Sequence, residues 1–294
     1  MWTPVQLPYF RHSEDLPGPL PTTEDIRSST TFLGDRVAQK MVQVGQHFVV
    51  KYGHGTNEIE GHNLLFVEHH LHNIVRAPRL YAMYRDSDGV LFLVMEFLDG
   101  ESLEKLWEAL ADDEKSHITC RLKVIFDGMR SLPSPGFYGS VIKGSIPHHL
   151  FYTNPLNRRI SGPFLHENEV NGAITAQLRS QAAFNRQYSH KSDFYERHLS
   201  GILSNHPPVF SHSDIYRKNI LVRKTSKHTR EKCDYDVSLV DWEDAGWYPS
   251  YWDYAISFTH FRWDDDWAAS FESFVEPWVA EAALVRMVYQ DIFF

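Results

Sequence analysis

The chain of 294 residues contains only two cysteines, Cys120 and Cys233. They lie far apart and outside any C-x-x-C, which argues against a disulfide framework or a zinc ribbon. Long apolar runs are missing too, since none approaches the roughly 20 residues that a membrane span requires. The N-terminus carries Pro4, Pro8, Pro17, Pro19 and Pro21 among acids, with no apolar signal-peptide segment. These absences predict a soluble, cytoplasmic protein without a membrane partner. An excess of basic residues is also lacking: the net charge of −9 and a pI near 6.0 argue against a nucleic-acid partner. The basic run from Arg223 to Lys232 reads as a solvated hairpin loop.

Several motifs are absent as well. No H-E-x-x-H accompanies the 17 histidines, and adjacent pairs such as His69-His70 and His148-His149 would diverge by about 100° on a helix. A histidine metal centre is therefore disfavoured. There is no G-x-S-x-G, which weakens a serine-hydrolase reading. Gly53-x-Gly55 begins a dinucleotide fingerprint, but Glu58 stands where the third glycine belongs; Gly139 to Ser145 lacks the lysine of a P-loop. No Gly-rich phosphate loop is visible. Only Gly45 sits in the turn from Val42 to His47, where a short hairpin could cover phosphates through backbone N–H groups.

What is present falls into a strand-rich first third and a mainly helical remainder. Residues 1–34 read as an irregular Pro- and Ser/Thr-rich arm. Met41–Val44 and His47–Tyr52 form a plausible hairpin. Thr56 or Asn57 would cap a helix running to about Leu71, and strands follow at Arg79–Tyr84 and Val90–Phe97. Beyond Gly100, helices are expected from Ser102 through Leu110, from Thr119 to Met129, and from about Glu167 to Leu203. Residues 131–165 would be a long structured loop of the kind that is often functional. Ile220–Val222 should pair with Val237–Val240. The expected organisation is α+β and bilobal: residues 35–98 as a small antiparallel-sheet N-lobe and residues 99–294 as a larger, mainly helical C-lobe.

The chemistry concentrates in His212-Ser213-Asp214-Ile215-Tyr216-Arg217-Lys218-Asn219, with Asp241 at the end of a later apolar strand. H-x-D-x-x-x-x-N followed by a strand-terminal acid is the layout of a kinase catalytic loop and its second metal ligand. Phosphoryl transfer needs a carboxylate beside the attacking hydroxyl, here Asp214. It also needs oxygen ligands for Mg²⁺, here Asn219 and Asp241. His212 reads as a structural residue. Lys51 ends a β-branched strand and would contact nucleotide phosphates, held by a helix glutamate. Glu60 shares a helical face with Leu64, Val67 and Leu71, whereas Glu58 lines up with Gly61, His62 and Leu65; Glu60 is the better candidate. Met95, Glu96 and Leu98 lie where a strand passes into the Asp99-Gly100 turn, and such a connector can meet an adenine edge. Trp247, Tyr248, Trp252, Tyr254, Trp263 and Trp267, with Asp253 and Asp264–Asp266, read first as a helical core with an acidic rim. The alternative is a pocket for a cationic acceptor.

Taken in order, these segments resemble the aminoglycoside phosphotransferase and choline kinase-like group of small-molecule kinases, especially its fungal branch. The resemblance is carried by Val49-Val50-Lys51-Tyr52-Gly53, by Glu60 with Leu64–Val67, and by Val94–Gly100 with Ser102-Leu103 and Trp107. It continues through Gly162-Pro163-Phe164, Phe210–Asp214, Asn219–Val222, and Asp241–Pro249 with Tyr251-Trp252, so that it spans about residues 41 to 270. The family's H-G-D stands here as His212-Ser213-Asp214. The resemblance implies a protein-kinase-like fold, ATP with Mg²⁺, and phosphorylation of a hydroxyl on a small molecule. Two other uses of the fold stay open at this point: a nucleotide-binding pseudokinase or sensor, and a biosynthetic enzyme whose product is not a stable phosphate.

Overall fold

The computed structural model describes residues 2–36, 38–186, 188–225 and 235–293. In chain order its elements begin with β1 (Tyr9–Phe10), α1 (Thr23–Ser28), β2 (Phe32–Arg36), β3 (Gln39–Val44), β4 (Phe48–Gly53) and α2 (Glu58–Leu71). Then come β5 (Leu80–Arg85), β6 (Leu91–Glu96), β7 (Glu101–Ser102), α3 (Leu103–Leu106) and α4 (Asp112–Arg130). The rest comprises α5 (Arg158–Ser161), α6 (Glu167–Phe184), α7 (His190–Ile202), β8 (Pro208–Ser211), β9 (Ile220–Lys224), β10 (Tyr235–Leu239), β11 (Gly246–Pro249), α8 (Trp252–Thr259), α9 (Trp267–Phe271) and α10 (Val279–Phe293). An antiparallel sheet of order β1-β5-β6-β4-β3-β2 dominates the first part, and helices the second. The α+β, bilobal kinase-like architecture is the observed one.

The side-chain alternation of this sheet positions the site. In β4, Phe48 and Val50 join Val42, Phe92 and Val94 on one face, while Val49 faces the other way with Leu91, Leu93 and Met95. Lys51 is paired with Leu93 in register and shares that second face, as a period of two requires. Helix α2 packs there, capped by Asn57, whose side chain accepts from Ile59 N–H at 3.0 Å. Gly61 makes the close approach possible, because a Cβ there would stand 2.6 Å from Met83 Sδ. Glu60, one residue earlier, is thereby carried to within reach of Lys51.

The structure differs from expectation at three places in its secondary structure. Residues 1–34 are not wholly irregular: β1 pairs with β5 as an edge strand, and α1 lays Ile26, fully buried, over the Val42–Val50–Phe92–Val94 face. That face would otherwise expose its apolar side chains. Helix α4 begins at Asp112, not Thr119, because its first turn is held by acids: Glu114 accepts from the Ala111 N–H at 3.1 Å. The helix expected over residues 167–203 is two, the second capped by Ser189. The 131–165 segment is the long structured loop expected, carrying α5 and burying Phe137, Tyr138, Val141, Ile146, Leu150 and Phe151. Elsewhere the β9–β10 pairing sets Val222 against Val237 and Ile220 against Leu239. Of the basic run, residues 226–232 lie outside the described residues, as does Cys233. Among the described residues no helix is long and apolar enough to cross a membrane.

Candidate active site

A cavity of about 500 Å³ opens between the sheet and the helical part. Its lining includes Val49, Lys51, Glu60, Met95, Glu96, Leu98, Asn219 and Asp241, seven of which are site residues expected from sequence. Asp214 is not among the lining residues but adjoins them through Asn219. Met95, Glu96, Phe97, Leu98 and Gly100 line the cavity from the connector, with Val49 paired to Met95. Lys51, Glu60 and Asp241 gather at its charged end, where Met41 is paired to Lys51.

At that charged end Lys51 is buried and its ammonium meets three carboxylates: Glu60 at 2.8 Å, Asp241 at 2.8 Å and Glu243 at 3.2 Å. Burial alone would pull the ammonium down, but Glu60, Asp241 and Glu243 outweigh it and keep Lys51 protonated. Burial raises Glu60, with Lys51 opposing. Asp241 is disfavoured as an anion by burial, yet Lys51 and Arg36 hold its carboxyl below the usual range. Glu58 turns away to Arg85, at 2.7 Å.

The residues of the 212–219 loop are set by a dense hydrogen-bond frame. His212 is fully buried, and burial lowers its imidazole toward neutrality. Its Nε2 lies 3.1 Å from the Val240 carbonyl, and its Nδ1 accepts from the Asp214 N–H at 3.4 Å, which suits a neutral ring protonated on Nε2. The ring thus ties the loop to the segment entering Asp241. Asn219 Nδ2 donates to Asp214 Oδ2 at 2.7 Å and to the Asp214 carbonyl at 3.0 Å, leaving Oδ1 as its acceptor. Burial pushes the Asp214 carboxyl up to about 6, against the pull of Lys218 at 3.7 Å. Ser213 and Asp241 both adopt positive φ, 69° and 64°, conformations that aim their neighbours' backbones sharply.

Two residues near this centre were not singled out from sequence. Glu243 follows Asp241 by two and reaches the same ammonium; ligand oxygens of Glu60, Asp241 and Glu243 lie within 4.8 Å of one another. Arg36, at the end of β2, places Nη1 3.1 Å from Glu243 and Nη2 3.6 Å from Asp241. The expected phosphate cover is corrected with it. Consecutive antiparallel strands turn at opposite ends of a sheet, and the 44–48 turn lies at the connector, where the His47 carbonyl accepts from Phe97 N–H at 2.8 Å. The β2–β3 hairpin, contributing Leu33, Gly34, Arg36 and Gln39 to the lining, is the one over the charged end.

The aromatic and acidic cluster resolves mostly as core with paired acids. Trp247, Tyr248, Trp252, Tyr254 and Trp267 are buried, whereas Trp263 and Asp264 are exposed. Asp253 accepts from Ser213 N–H at 2.9 Å, Asp265 pairs with Arg217 at 2.6 Å, and Asp266 with Lys115 at 2.9 Å. Asp244 differs: burial pushes its carboxyl up to about 8, reinforced by Glu243, Asp214 and Asp241.

Comparison with known proteins bears on the fold. Solved structures of similar fold include the aminoglycoside phosphotransferase APH(2'')-Ib with bound ADP, with a TM-score of 0.57 at 15% identity over 90% of this chain and 85% of that one. The streptomycin–ATP complex of APH(2'')-IIa gives 0.55 at 15% identity, over 90% and 83%. Aminoglycoside phosphotransferase APH(4)-Ia gives 0.57 at 14%, over 90% and 83%. No curated protein matches the chain. The phosphotransferase enzyme family, by contrast, matches residues 31–283, and the chain belongs to that family.

Proposed function

We propose that the protein is an ATP- and Mg²⁺-dependent phosphotransferase that phosphorylates a hydroxyl group of a small molecule. The observation that carries this reading is the convergence of Lys51, Glu60, Asp241 and Asn219 on one cavity, with Asp214 hydrogen-bonded to Asn219 at its edge. In this reading the sheet of residues 35–98 covers the nucleotide, the connector at Met95, Glu96 and Leu98 receives the base, and residues 99–294 carry the loop and the acceptor. Solved neighbours hold ADP and ATP, which supports a purine nucleotide in the cavity. Neighbours with streptomycin or gentamicin support a small-molecule acceptor, and a cationic one is compatible with the nearby carboxylates.

The donor set suits a hard cation: the Asp241 and Glu243 carboxylates lie together, Asn219 lines the same cavity, and all offer oxygen ligands of the kind Mg²⁺ prefers. Bound there, the ion would neutralise charge on the transferring phosphoryl group. Lys51, held by Glu60, keeps its ammonium fixed toward the phosphates. Asp214 accepts the hydrogen bond of the acceptor hydroxyl, orients its oxygen for in-line attack, and takes its proton. Asn219 fixes which Asp214 oxygen is left for that task. ATP consumption across a panel of hydroxyl compounds, with Asp214→Asn as control and mass spectrometry of the product, tests the proposal. A phosphorylated product formed by the wild type and not by the variant is expected. Equal turnover by both would remove Asp214 from its role.

A further inference from the structure

Arg36 is the single arginine among the described residues lining the cavity, and it comes from the hairpin that overhangs the charged end. That hairpin reads Gly34-Asp35-Arg36-Val37-Ala38-Gln39, with one glycine. A kinase-like site ordinarily wraps phosphates in the backbone N–H groups of a Gly-rich loop, and this segment has too few glycines for it. What it offers is a side chain. The Arg36 guanidinium stands 3.1 Å from Glu243 and 3.6 Å from Asp241 while remaining 56% exposed. Lys51 makes the same two contacts from a buried position.

Two cations therefore share two carboxylates, and a divalent ion bound at Asp241 would compete with both for its oxygens. Lys51 is fixed by Glu60 and has nowhere to go. Arg36 is exposed, long and tethered only at the hairpin, so it is the cation that moves. The nearest anions it would find are the phosphates that arrive with the ion, and its planar fork matches phosphate oxygens. We infer that Arg36 is a phosphate-binding residue: as Mg²⁺–nucleotide enters, its guanidinium leaves Asp241 and Glu243 for the terminal phosphates, in place of a Gly-rich loop. Without nucleotide, the same contacts hold the hairpin down over the acids. This inference rests on the nucleotide reading above.

Equilibrium binding of ATP, ADP and AMP in the presence of Mg²⁺ to the full chain, wild type, Arg36→Ala and Arg36→Lys, tests it without any turnover. Loss of a charge-assisted contact should weaken ATP binding by about ten- to a hundredfold in the Ala variant. AMP affinity should change by less than about twofold, because its phosphate does not reach the hairpin. The Lys variant should fall between, keeping the charge without the fork. Wild-type-like ATP affinity in Arg36→Ala would overturn the inference and leave the nucleotide reading standing. So would an equal loss for ATP and AMP, which would mark Arg36 as structural. Failure of the wild type to bind any of the three nucleotides would overturn both.

Discussion

The Trp252 indole N–H donates to Ser213 Oγ over 2.8 Å, and it does so inside the core, beneath the residue that precedes Asp214. The Ser213 N–H meanwhile donates to Asp253 at 2.9 Å. Helix α8 thus supplies two adjacent side chains that pin one residue of the catalytic loop. Ser213 needs pinning because its φ of 69° is a left-handed conformation, one that costs a non-glycine residue roughly 1–2 kcal/mol. A family that usually has glycine here avoids the strain; this chain offsets it with a hydrogen bond. Ser213→Ala retains the strain and orphans a buried indole N–H, at about 1–3 kcal/mol. Ser213→Gly loses the same bond but relieves the backbone. Urea unfolding should therefore find the Ala variant less stable than the Gly variant, and the reverse order would refute this account of the loop.

Lys51 serves three carboxylates at once, which makes its removal worse than removal of any one partner. Lys51→Met would leave Glu60, Asp241 and Glu243 facing one another, with the partly exposed Arg36 as the remaining cation. An uncompensated buried charge costs about 3–5 kcal/mol. Glu60→Gln keeps two of the three partners and should cost less. Thermal unfolding of the two variants, without added nucleotide or metal, should show the larger fall in Tm for Lys51→Met.

Asp214 should govern the acidic limb of the rate profile. Burial raises its carboxyl to about 6, and the protonated acid cannot take the acceptor's proton. Log kcat/KM should then fall with decreasing pH below about 6. Lys218, 3.7 Å away, counteracts that rise. Lys218→Gln should move the limb to higher pH, and Lys218→Arg should leave it nearly in place. A limb that stays put in Lys218→Gln would mean that another group titrates there.

The parts of this molecule that sequence made legible are those where local pattern and tertiary role coincide. The alternation in β4 and β6 puts Lys51 on the cavity face, and the 3.6-residue period in α2 turns Glu60 toward it while Glu58 reaches Arg85. The H-x-D-x-x-x-x-N spacing brings Asn219 back onto Asp214, as the two hydrogen bonds between them show. Arg36 escaped notice because its partner Glu243 lies 207 positions away, and nothing local marks an arginine at a strand end as part of a site. Glu243 escaped for a similar reason: Asp241 has a left-handed φ and Glu243 sits in a turn, so no strand alternation places it beside Lys51. The hairpin covering the charged end was misplaced for a related reason. Gly45 announces a turn, whereas the β2–β3 turn has no glycine between Arg36 and Gln39, and only the strand order says which end of the sheet each turn occupies. Asp244 and the acids of the C-terminal cluster are likewise indistinguishable in sequence; long-range partners alone separate Asp253, Asp265 and Asp266 from it.

Asp244 should leave its mark on stability, not only on chemistry. Its carboxyl is pushed to about 8 in the folded protein by burial, with Glu243, Asp214 and Asp241 adding to the rise, while in the unfolded chain it titrates near the ordinary value of about 4. The folded state therefore binds this proton more tightly than the unfolded state does. The corresponding stabilisation is complete below about pH 4 and is lost as pH climbs through about 8. Within that window a fully linked proton changes stability by about 1.4 kcal/mol per pH unit. Asp244→Asn removes the linkage while keeping the shape. The stability of the wild type minus that of the variant, measured by urea unfolding at a series of pH values, should fall steadily from pH 5 to pH 8 and level off above it. Taking the difference cancels groups that titrate alike in both proteins. A difference that is flat across this range would mean that Asp244 is ionised at neutral pH, and that the site carries one more negative charge than its burial allows.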